Sequence, residues 1–149
     1  MTIYQLSIFI ENRSGTLLKV LQILKQAGIQ IVASTIADTT DYGIYRLICS
    51  EPHRAYDELV KGGIAVARSD VFALELDNQP GRAADAIEAF SRANISIAYM
   101  YTFLLRGKGI MVFRTDNADK AREVIILNKL KFIAEKEKEK AKGTSAETE

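Results

Sequence analysis

Two polar turns with the same residue types offer the clearest chemistry in this sequence. An alternating strand, YQLSIFI, stops at the turn ENRSG, residues 11–15, and an apolar helical pattern starts at once. The turn DNQPG, residues 77–81, stands in the same place between another strand and another helix. The first N–H groups of a helix have no partner within it, and the helix dipole is positive there. A carboxylate group therefore fits either turn.

The side chains of these turns allow two interpretations. Asn12 and Asn78 each supply a donor and an acceptor, which suits a zwitterion, while Gly15 and Gly81 lack a Cβ and let a ligand approach the backbone. However, Asn and Gly also start and permit ordinary turns, and a duplicated fold duplicates its turns. The chemistry alone leaves both interpretations open.

The sequence has no complete catalytic set. Its single His, His53, falls at the predicted start of a helix, where we expect an exposed side chain. Its single Cys, Cys49, ends an apolar strand, where we expect a small buried residue. There is no phosphate-binding glycine loop, no nucleophile elbow and no metal-ligand spacing. We therefore expect no enzyme activity, no cofactor and no metal site.

Composition narrows the class of protein further. A net charge of +1 argues against nucleic acid as a partner, since nucleic-acid-binding proteins usually carry a clear basic excess. The single Cys excludes an internal disulfide. The N-terminal segment lacks a basic, apolar signal, and no apolar run is long enough to span a membrane. We expect a soluble, cytoplasmic protein that binds neither nucleic acid nor membrane.

The chain repeats itself at an offset of 66 positions. From Tyr4 to about Leu59, the alignment of the first repeat with the second needs no gap. The matches fall at turns and apolar positions, where structure constrains residue choice, and they indicate a duplicated domain. The matched pairs are Ile10/Leu76, Asn12/Asn78, Gly15/Gly81, Ala27/Ala93, Ile29/Ile95, Ile31/Ile97, Gly43/Gly109, Ile44/Ile110 and Ala55/Ala121.

Each repeat has the predicted element order β-α-β-β-α-β. The first helix is predicted from about Gly15 to Ala27, and Gly28 is expected to end it in the left-handed conformation. Asn94 stands in the same place in the second repeat, and Asn is the other residue that adopts that conformation readily. The apolar face of this helix is predicted from Leu17, Leu18, Leu21 and Leu24.

The second helix of each repeat is predicted from its capping residues. Pro52 suits the first position of a helix, with Ser50 as the candidate cap. In the second repeat Asp116 is the candidate cap. A fourth strand, IAVARS at residues 64–69, is expected to lead into the next strand, VFALEL at residues 71–76.

Domain boundaries follow from the repeat. We expect a first domain at residues 1–70 and a second at residues 71–135, closed by a final strand, KFIAE, at residues 131–135. The remaining segment, residues 136–149, alternates Lys and Glu and is expected to be a flexible, charged tail.

The two repeats resemble the ACT domain. In that family a strand ends in a polar turn with Asn and Pro-Gly, an apolar helix follows, and a GINI-like segment comes next. ENRSGTLLKVLQILKQAGIQI and DNQPGRAADAIEAFSRANISI fit that pattern along most of each repeat. The resemblance covers residues 1 to about 135. It implies an α+β fold of two ferredoxin-like βαββαβ units packed side by side.

The resemblance also implies that an amino acid binds at an interface between ACT units, with regulatory consequences. The family's turn Asn matches Asn12 and Asn78, and its helix-opening Gly matches Gly15 and Gly81. In serine-sensing members the Asn of GINI makes a second contact. The candidate ligand-binding residues are Asn12, Arg13, Ser14, Gly15, Thr16, Gln30, Asn78, Gln79, Pro80, Gly81, Arg82 and Ser96.

Some residues depart from the family pattern. Serine-sensing members carry a His two residues before the turn Asn, where this chain has Ile10 and Leu76, so serine is not predicted. The first repeat has Ser14 where the second has Pro80, which makes the second repeat the better match and the predicted preferred site. Arg82 could neutralise a bound carboxylate, although a solvated side chain is the favoured interpretation.

The leading hypothesis is a non-catalytic sensor that binds an amino acid and regulates amino-acid metabolism or transport. The alternative is a regulatory subunit that binds proteins and no metabolite. Exposed strand edges favour a homodimer, and a regulated protein partner is compatible with both hypotheses. One predicted strand has aromatic side chains at alternate positions, Tyr99, Tyr101 and Phe103. We favour core or interface packing for them over a role in lining a pocket.

Overall fold

The chain folds into two compact units. The computed structural model describes residues 1–11, 15–38, 42–77, 79–136 and 138. The first unit is Tyr4–Asp70, and the second contains Met1–Ile3 and the described residues from Val71 onward. The elements are β1 (Thr2–Glu11), α1 (Thr16–Gln26), β2 (Ile31–Asp38), β3 (Tyr42–Cys49), α2 (Pro52–Lys61), β4 (Val66–Leu76), α3 (Arg82–Arg92), β5 (Ile97–Leu105), β6 (Lys108–Thr115) and α4 (Ala118–Leu127).

The first unit is an antiparallel sheet covered on one face by two helices. Its strands lie in the order β2-β3-β1-β4, with the start of β4 in the fourth place. Alternate residues of β1 and β3, such as Leu6 and Leu47, point to the helix side, where they are fully buried. Val20 and Leu24 of α1 and Leu59 of α2 complete the core.

The second unit repeats this arrangement with β4, β6 and β5. Two short segments take the place beside the remaining edge of β4. The N–H of Ala73 donates to the carbonyl of Met1 (3.2 Å), and the carbonyl of Ala73 accepts from the N–H of Ile133 (3.0 Å). The predicted two-unit, ferredoxin-like α+β fold is confirmed.

The two cores occupy equivalent sequence positions. Except for Cys49 and Val124, every residue of one buried cluster has its counterpart 66 positions away in the other. At some positions the second core has a larger side chain than the first, and at others it has a smaller one. These differences offset each other, so the core volume is conserved although few residues are identical. The pairs are Leu6/Phe72, Ile8/Leu74, Val20/Ala86, Leu24/Phe90, Ile29/Ile95, Tyr45/Met111, Leu47/Phe113, Ala55/Ala121 and Leu59/Ile125.

The predicted helix ends are confirmed, and one predicted core residue is wrong. Gly28 and Asn94 follow α1 and α3 with φ angles of 69° and 59°, in the left-handed region. Pro52 is the first residue of α2. Leu18, predicted on the apolar face of α1, is 57% exposed, because the buried stripe runs through Val20 and Leu24 instead.

Both candidate caps were wrong by one residue. Glu51 caps α2, but its carboxylate accepts from the side chain of Arg54 (2.5 Å) rather than from a backbone N–H of the helix. Asn117 caps α4, where its side-chain oxygen accepts from the N–H of Lys120 (3.1 Å). Ser50 and Asp116 are engaged elsewhere, by long-range partners that local sequence does not reveal.

The strands differ from the prediction at two places. The sequence predicts two strands, at residues 64–69 and 71–76. They form one continuous strand, β4, because the exposed polar residues between them keep an extended backbone. The segment KFIAE forms a single bridge, Leu74 to Phe132, rather than a strand. Within the tail, residues 137 and 139–149 lie outside the described residues. In the described part of the chain, no helix is long and apolar enough to cross a membrane.

The shared helix ending gives a first testable prediction. A Cβ at Gly28 meets no atom within 4 Å, so only the left-handed backbone opposes substitution. Gly28→Ala is expected to lower the free energy of unfolding by about 1 kcal/mol. Gly28→Asn should cost clearly less, since Asn94 holds the same conformation. Urea unfolding of both variants measures the difference, and equal losses would contradict this explanation.

Candidate functional site

The turn between β1 and α1 leaves a helix N-terminus open. Gly15 caps α1 with φ 101° and ψ −21°, and this cap residue makes no side-chain bond to the helix. The first intrahelical bond runs from the N–H of Lys19 to the carbonyl of Gly15 (2.9 Å). The N–H groups of the residues before Lys19 therefore lack helical acceptors. A Cβ placed on Gly15 would meet nothing within 4 Å, so this backbone is approachable.

A pocket of about 480 Å³ lies beside this turn, and we call it the first turn pocket. One wall is the loop after α2, which reaches the turn because the N–H of Phe9 in β1 bonds to the carbonyl of Ala65 (3.0 Å). The site therefore depends on the fourth strand returning beside the first. The lining residues are Phe9, Glu11, Gly15, Thr16, Lys19, Gly63, Ile64 and Ala65.

The second unit has a pocket of about 260 Å³ at the equivalent turn, which we call the second turn pocket. Gly81 caps α3 with φ 88°, and the N–H of Glu75 bonds to the carbonyl of Lys131 (2.9 Å). Both features correspond to those of the first unit at an offset of 66 positions. The lining residues are Glu75, Leu76, Asp77, Arg82, Asp85, Ala86, Lys129, Leu130 and Lys131.

The two pockets differ in the number of charged side chains, which is two in the first lining and six in the second. In the second, Arg82 lies 2.7 Å from Asp77 through Nε and 3.4 Å from Asp85 through Nη1. Hydrogen bonding to Asp77 and the charge of that carboxylate, with a smaller effect of Asp85, raise the pKa of Arg82 above its ordinary value. The first pocket has Thr16 and Lys19 at the positions of Arg82 and Asp85. The sequence predicts a solvated side chain for Arg82. The side chain is exposed, but it is also paired with carboxylates.

Gln30 and Ser96 are held by the strand ends next to them. The N–H of Gln30 donates to the hydroxyl of Ser50 (3.0 Å), and the N–H of Ser50 donates to the carbonyl of Gln30 (2.9 Å). In the second unit the N–H of Ser96 donates to the carboxylate of Asp116 (3.2 Å). These bonds fix the backbone at the start of β2 and β5 and leave both side chains exposed.

Within one unit, these positions are far from the turns. Gln30 follows the C-terminal end of α1, whereas Gly15 precedes its N-terminal end. The 11 residues of α1 span about 16 Å at 1.5 Å per residue. Gln30 therefore does not join Gly15 in the first turn pocket, and Ser96 does not join Gly81 in the second.

The remaining predicted site residues divide into three groups. Gly15, Thr16 and Arg82 line the turn pockets. Gln79 and Pro80 are exposed in the second turn, with Gly81 after them, but these three do not line its pocket. The third group of predicted site residues lies outside the described residues and consists of Asn12, Arg13, Ser14 and Asn78.

Several lining residues were not predicted from the sequence. Glu11 and Lys19 flank the turn, while Gly63 and Ala65 come from the loop after α2. The loop residues could have been predicted from the element order, because a βαββαβ unit places its fourth strand beside its first. Continuing the repeat alignment past Leu59 also pairs Gly63 with Lys129 and Ala65 with Lys131.

The side chains considered for catalysis lie away from the turns. Cys49 is 1% exposed, at the end of β3. His53 is exposed on α2, where its Nδ1 lies 2.6 Å from Arg68 and its ring packs edge-on against Tyr4. Among the residues with described positions, no group of His, Cys, Asp or Glu could hold a metal ion.

Comparisons with known proteins agree with this geometry. A model of the ACT domain pair matches residues 1–141. The solved structure of protein BT0572 from Bacteroides thetaiotaomicron is 36% identical, with a TM-score of 0.87 over 94% of this chain and 97% of that one. Curated protein sequences provide no match.

Two more distant structures share the fold alone. The ligand-free regulatory subunit of aspartate kinase from Thermus thermophilus is 16% identical, with a TM-score of 0.58 over 83% of this chain and 91% of that one. Its counterpart from Thermus flavus is also 16% identical, with a TM-score of 0.55 over 83% and 90%.

The bonds at Gln30 give a second prediction. Ser50→Ala removes the hydroxyl that accepts from the N–H of Gln30, at a site where Ser50 is 5% exposed. The free energy of unfolding should fall by about 1 kcal/mol. Ser91→Ala, on an exposed face of α3, is the matched control and should change stability by less than about 0.5 kcal/mol. Equal effects in urea unfolding would contradict this role for Ser50.

Proposed function

The chain belongs to the ACT domain pair family, and from that premise we propose that it is a non-catalytic regulatory protein that senses a free amino acid. The observation that carries the proposal is the pocket at the strand-to-helix turn, which recurs in both units at equivalent residues. Recurrence of a simple turn needs only Asn and Gly. A recurring pocket also needs the returning loop after the second helix, which is a more demanding arrangement.

The geometry suits the two charged ends of an amino acid. The ligand carboxylate would accept from the uncapped N–H groups at the start of α1, where the helix dipole is positive. Gly15 permits its approach to the backbone. The ligand side chain would point toward Phe9 and Ile64, which give the first turn pocket an apolar wall.

A second chain would complete the site. Because Gln30 and Ser96 lie at the far end of the first helix of their own units, a ligand that touches a turn and either of these side chains must bridge two structural units. The proposed arrangement is a homodimer in which one chain supplies the turn and another supplies the second polar contact. Binding would then stabilise one packing of the two chains over another. The free energy of this shift cannot exceed the difference in the ligand's binding free energy between the two packings.

The edge strands support a dimer. β2 and β5 each lie at an edge of the strand order. β5 has no charged residue and no proline over its nine residues, and such edges are usually covered or protected. Met100 and Leu104 of β5 are 41% and 75% exposed, whereas Tyr99, Tyr101 and Phe103 of the opposite face are half-buried. We therefore propose β5 as the strand that a second chain covers.

A ligand screen tests the proposed function. Thermal unfolding of the full chain is measured with each of the twenty amino acids, and at least one is expected to stabilise it. A ligand at 100 times its Kd adds about 2.7 kcal/mol to the free energy of unfolding. Asn12→Ala and Asn78→Ala then locate the effect, since loss of the turn amide should weaken binding at that turn.

Two results would count against an amino-acid sensor. If none of the twenty amino acids shifts the unfolding temperature, the chain is better explained as a protein-binding regulatory subunit. The exposed pair Ile126 and Leu127 at the end of α4, 64% and 79% exposed, favours that alternative. If an amino acid binds equally well to both Asn variants, the turn amides do not contribute to its site.

The dimer has its own prediction. Light scattering of the wild-type chain should give twice the mass of one chain. Met100→Lys with Leu104→Lys places two charges on the β5 edge and should yield a monomer. Leu18→Lys, at a residue 57% exposed on α1, is the control and should leave the dimer intact. A wild-type monomer would overturn the dimer, and a dimeric β5 variant would exclude this edge.

A further inference from the structure

We propose that Arg82 competes with a ligand for the second turn pocket, so that each chain binds one amino acid and binds it at the first turn pocket. This inference rests on the proposed function and identifies the unit that performs it. It reverses the preference for the second repeat that Pro80 indicates in the sequence.

The described backbone of the two pockets matches at the helix cap and at the returning loop. Gly15 and Gly81 both cap their helices in the left-handed region, at φ 101° and 88°. The bonds that bring the returning loop beside the turn are 3.0 Å and 2.9 Å long. The volumes nevertheless differ, about 480 Å³ against about 260 Å³. We attribute the difference to the side chains, since Arg82 replaces Thr16, and Lys129 and Lys131 replace Gly63 and Ala65.

Arg82 already fills the position that a ligand's ammonium group requires. Its guanidinium lies between Asp77 at the strand end and Asp85 in the first turn of α3, at 2.7 Å and 3.4 Å. An incoming ammonium group would have to displace a cation that two carboxylates hold. In the first unit the equivalent residue is Thr16, which is uncharged and too short to form this bridge.

The start of the helix is also less favourable to a ligand carboxylate at the second turn. Asp85 lies in the first turn of α3, where its negative charge offsets the positive end of the helix dipole. Lys129 and Lys131 also line the second pocket, so its lining carries three basic and three acidic side chains. The first turn of α1 contains no acidic residue, and Lys19 lines the pocket at the position of Asp85. The helix N-terminus without an acidic residue in its first turn, and the uncharged Thr16 in place of Arg82, therefore favour the first turn pocket.

A reciprocal exchange of these residues tests the inference in the full chain. The variant Arg82→Thr with Asp85→Lys gives the helix start of the second pocket the two side chains of the first. The variant Thr16→Arg with Lys19→Asp gives the first pocket the side chains of the second, opposite Glu11 as Arg82 is opposite Asp77. None of the four replaced side chains is buried, so both variants should fold, which circular dichroism verifies.

Each protein is titrated with the twenty amino acids by calorimetry and by ¹⁵N-resolved NMR of the Gly15 and Gly81 amides. The wild type should bind one equivalent per chain and shift Gly15 alone. Opening the second pocket should raise the stoichiometry to two and shift both glycines. Closing the first pocket should weaken binding at least tenfold.

Four results would overturn the inference, and they separate it from the proposed function. The proposed function survives but the inference fails if the wild type binds two equivalents, or if its ligand shifts Gly81 rather than Gly15. The inference fails likewise if the exchanges leave stoichiometry and affinity unchanged. If no amino acid binds the wild type or either variant, the proposed function fails, and the inference fails with it.

Discussion

The burial of one sheet face under two helices is the constraint on which the rest of each unit depends. Leu6 and Leu47 in the first unit, and Phe72 and Phe113 in the second, must be covered on the same side. The chain therefore has to pass from the first strand to a helix on that side within a short turn. The turn leaves a helix N-terminus exposed at the end of the strand, with a left-handed glycine that permits the change of direction.

The same constraint places a second wall beside the turn. When the second helix ends, the chain returns as a strand next to the first one, as the bond between Phe9 and Ala65 records. The pocket is therefore a by-product of the fold, and the duplication created it twice. The two copies of the pocket do not share the same charged side chains. Thr16 and Lys19 differ from Arg82 and Asp85 while the cores behind them remain matched, because exposed positions are free to diverge without loss of stability.

Sequence patterns predicted the features that local chemistry determines. Gly28 and Asn94 indicated the same left-handed helix ending, and Pro52 indicated the start of α2. The errors arose where a distant partner decides. Ser50 looks like a helix cap, but its hydroxyl accepts from the N–H of Gln30, which a separate strand brings beside it. Leu18 fits an apolar periodicity, but the helix presents Val20 to the core instead.

The candidate site shows the same division. The turn glycines and the helix N-termini could be located from the sequence, because strand, turn and helix are consecutive. The lining residues Gly63 and Ala65 come from the end of the unit, so they require the strand order as well as the element order. The pairing of Arg82 in the second turn pocket depends on distances to Asp77 and Asp85, which no pattern of residue types specifies.

The central claim is that an amino acid binds at the strand-to-helix turn of the first unit. A crystal structure of the full chain, grown with the amino acid that most raises its unfolding temperature, tests this claim most directly. We expect the ligand carboxylate within hydrogen-bonding distance of the N–H groups at the start of α1, beside Gly15 and Lys19. A ligand bound anywhere other than the turn of the first unit would contradict the account.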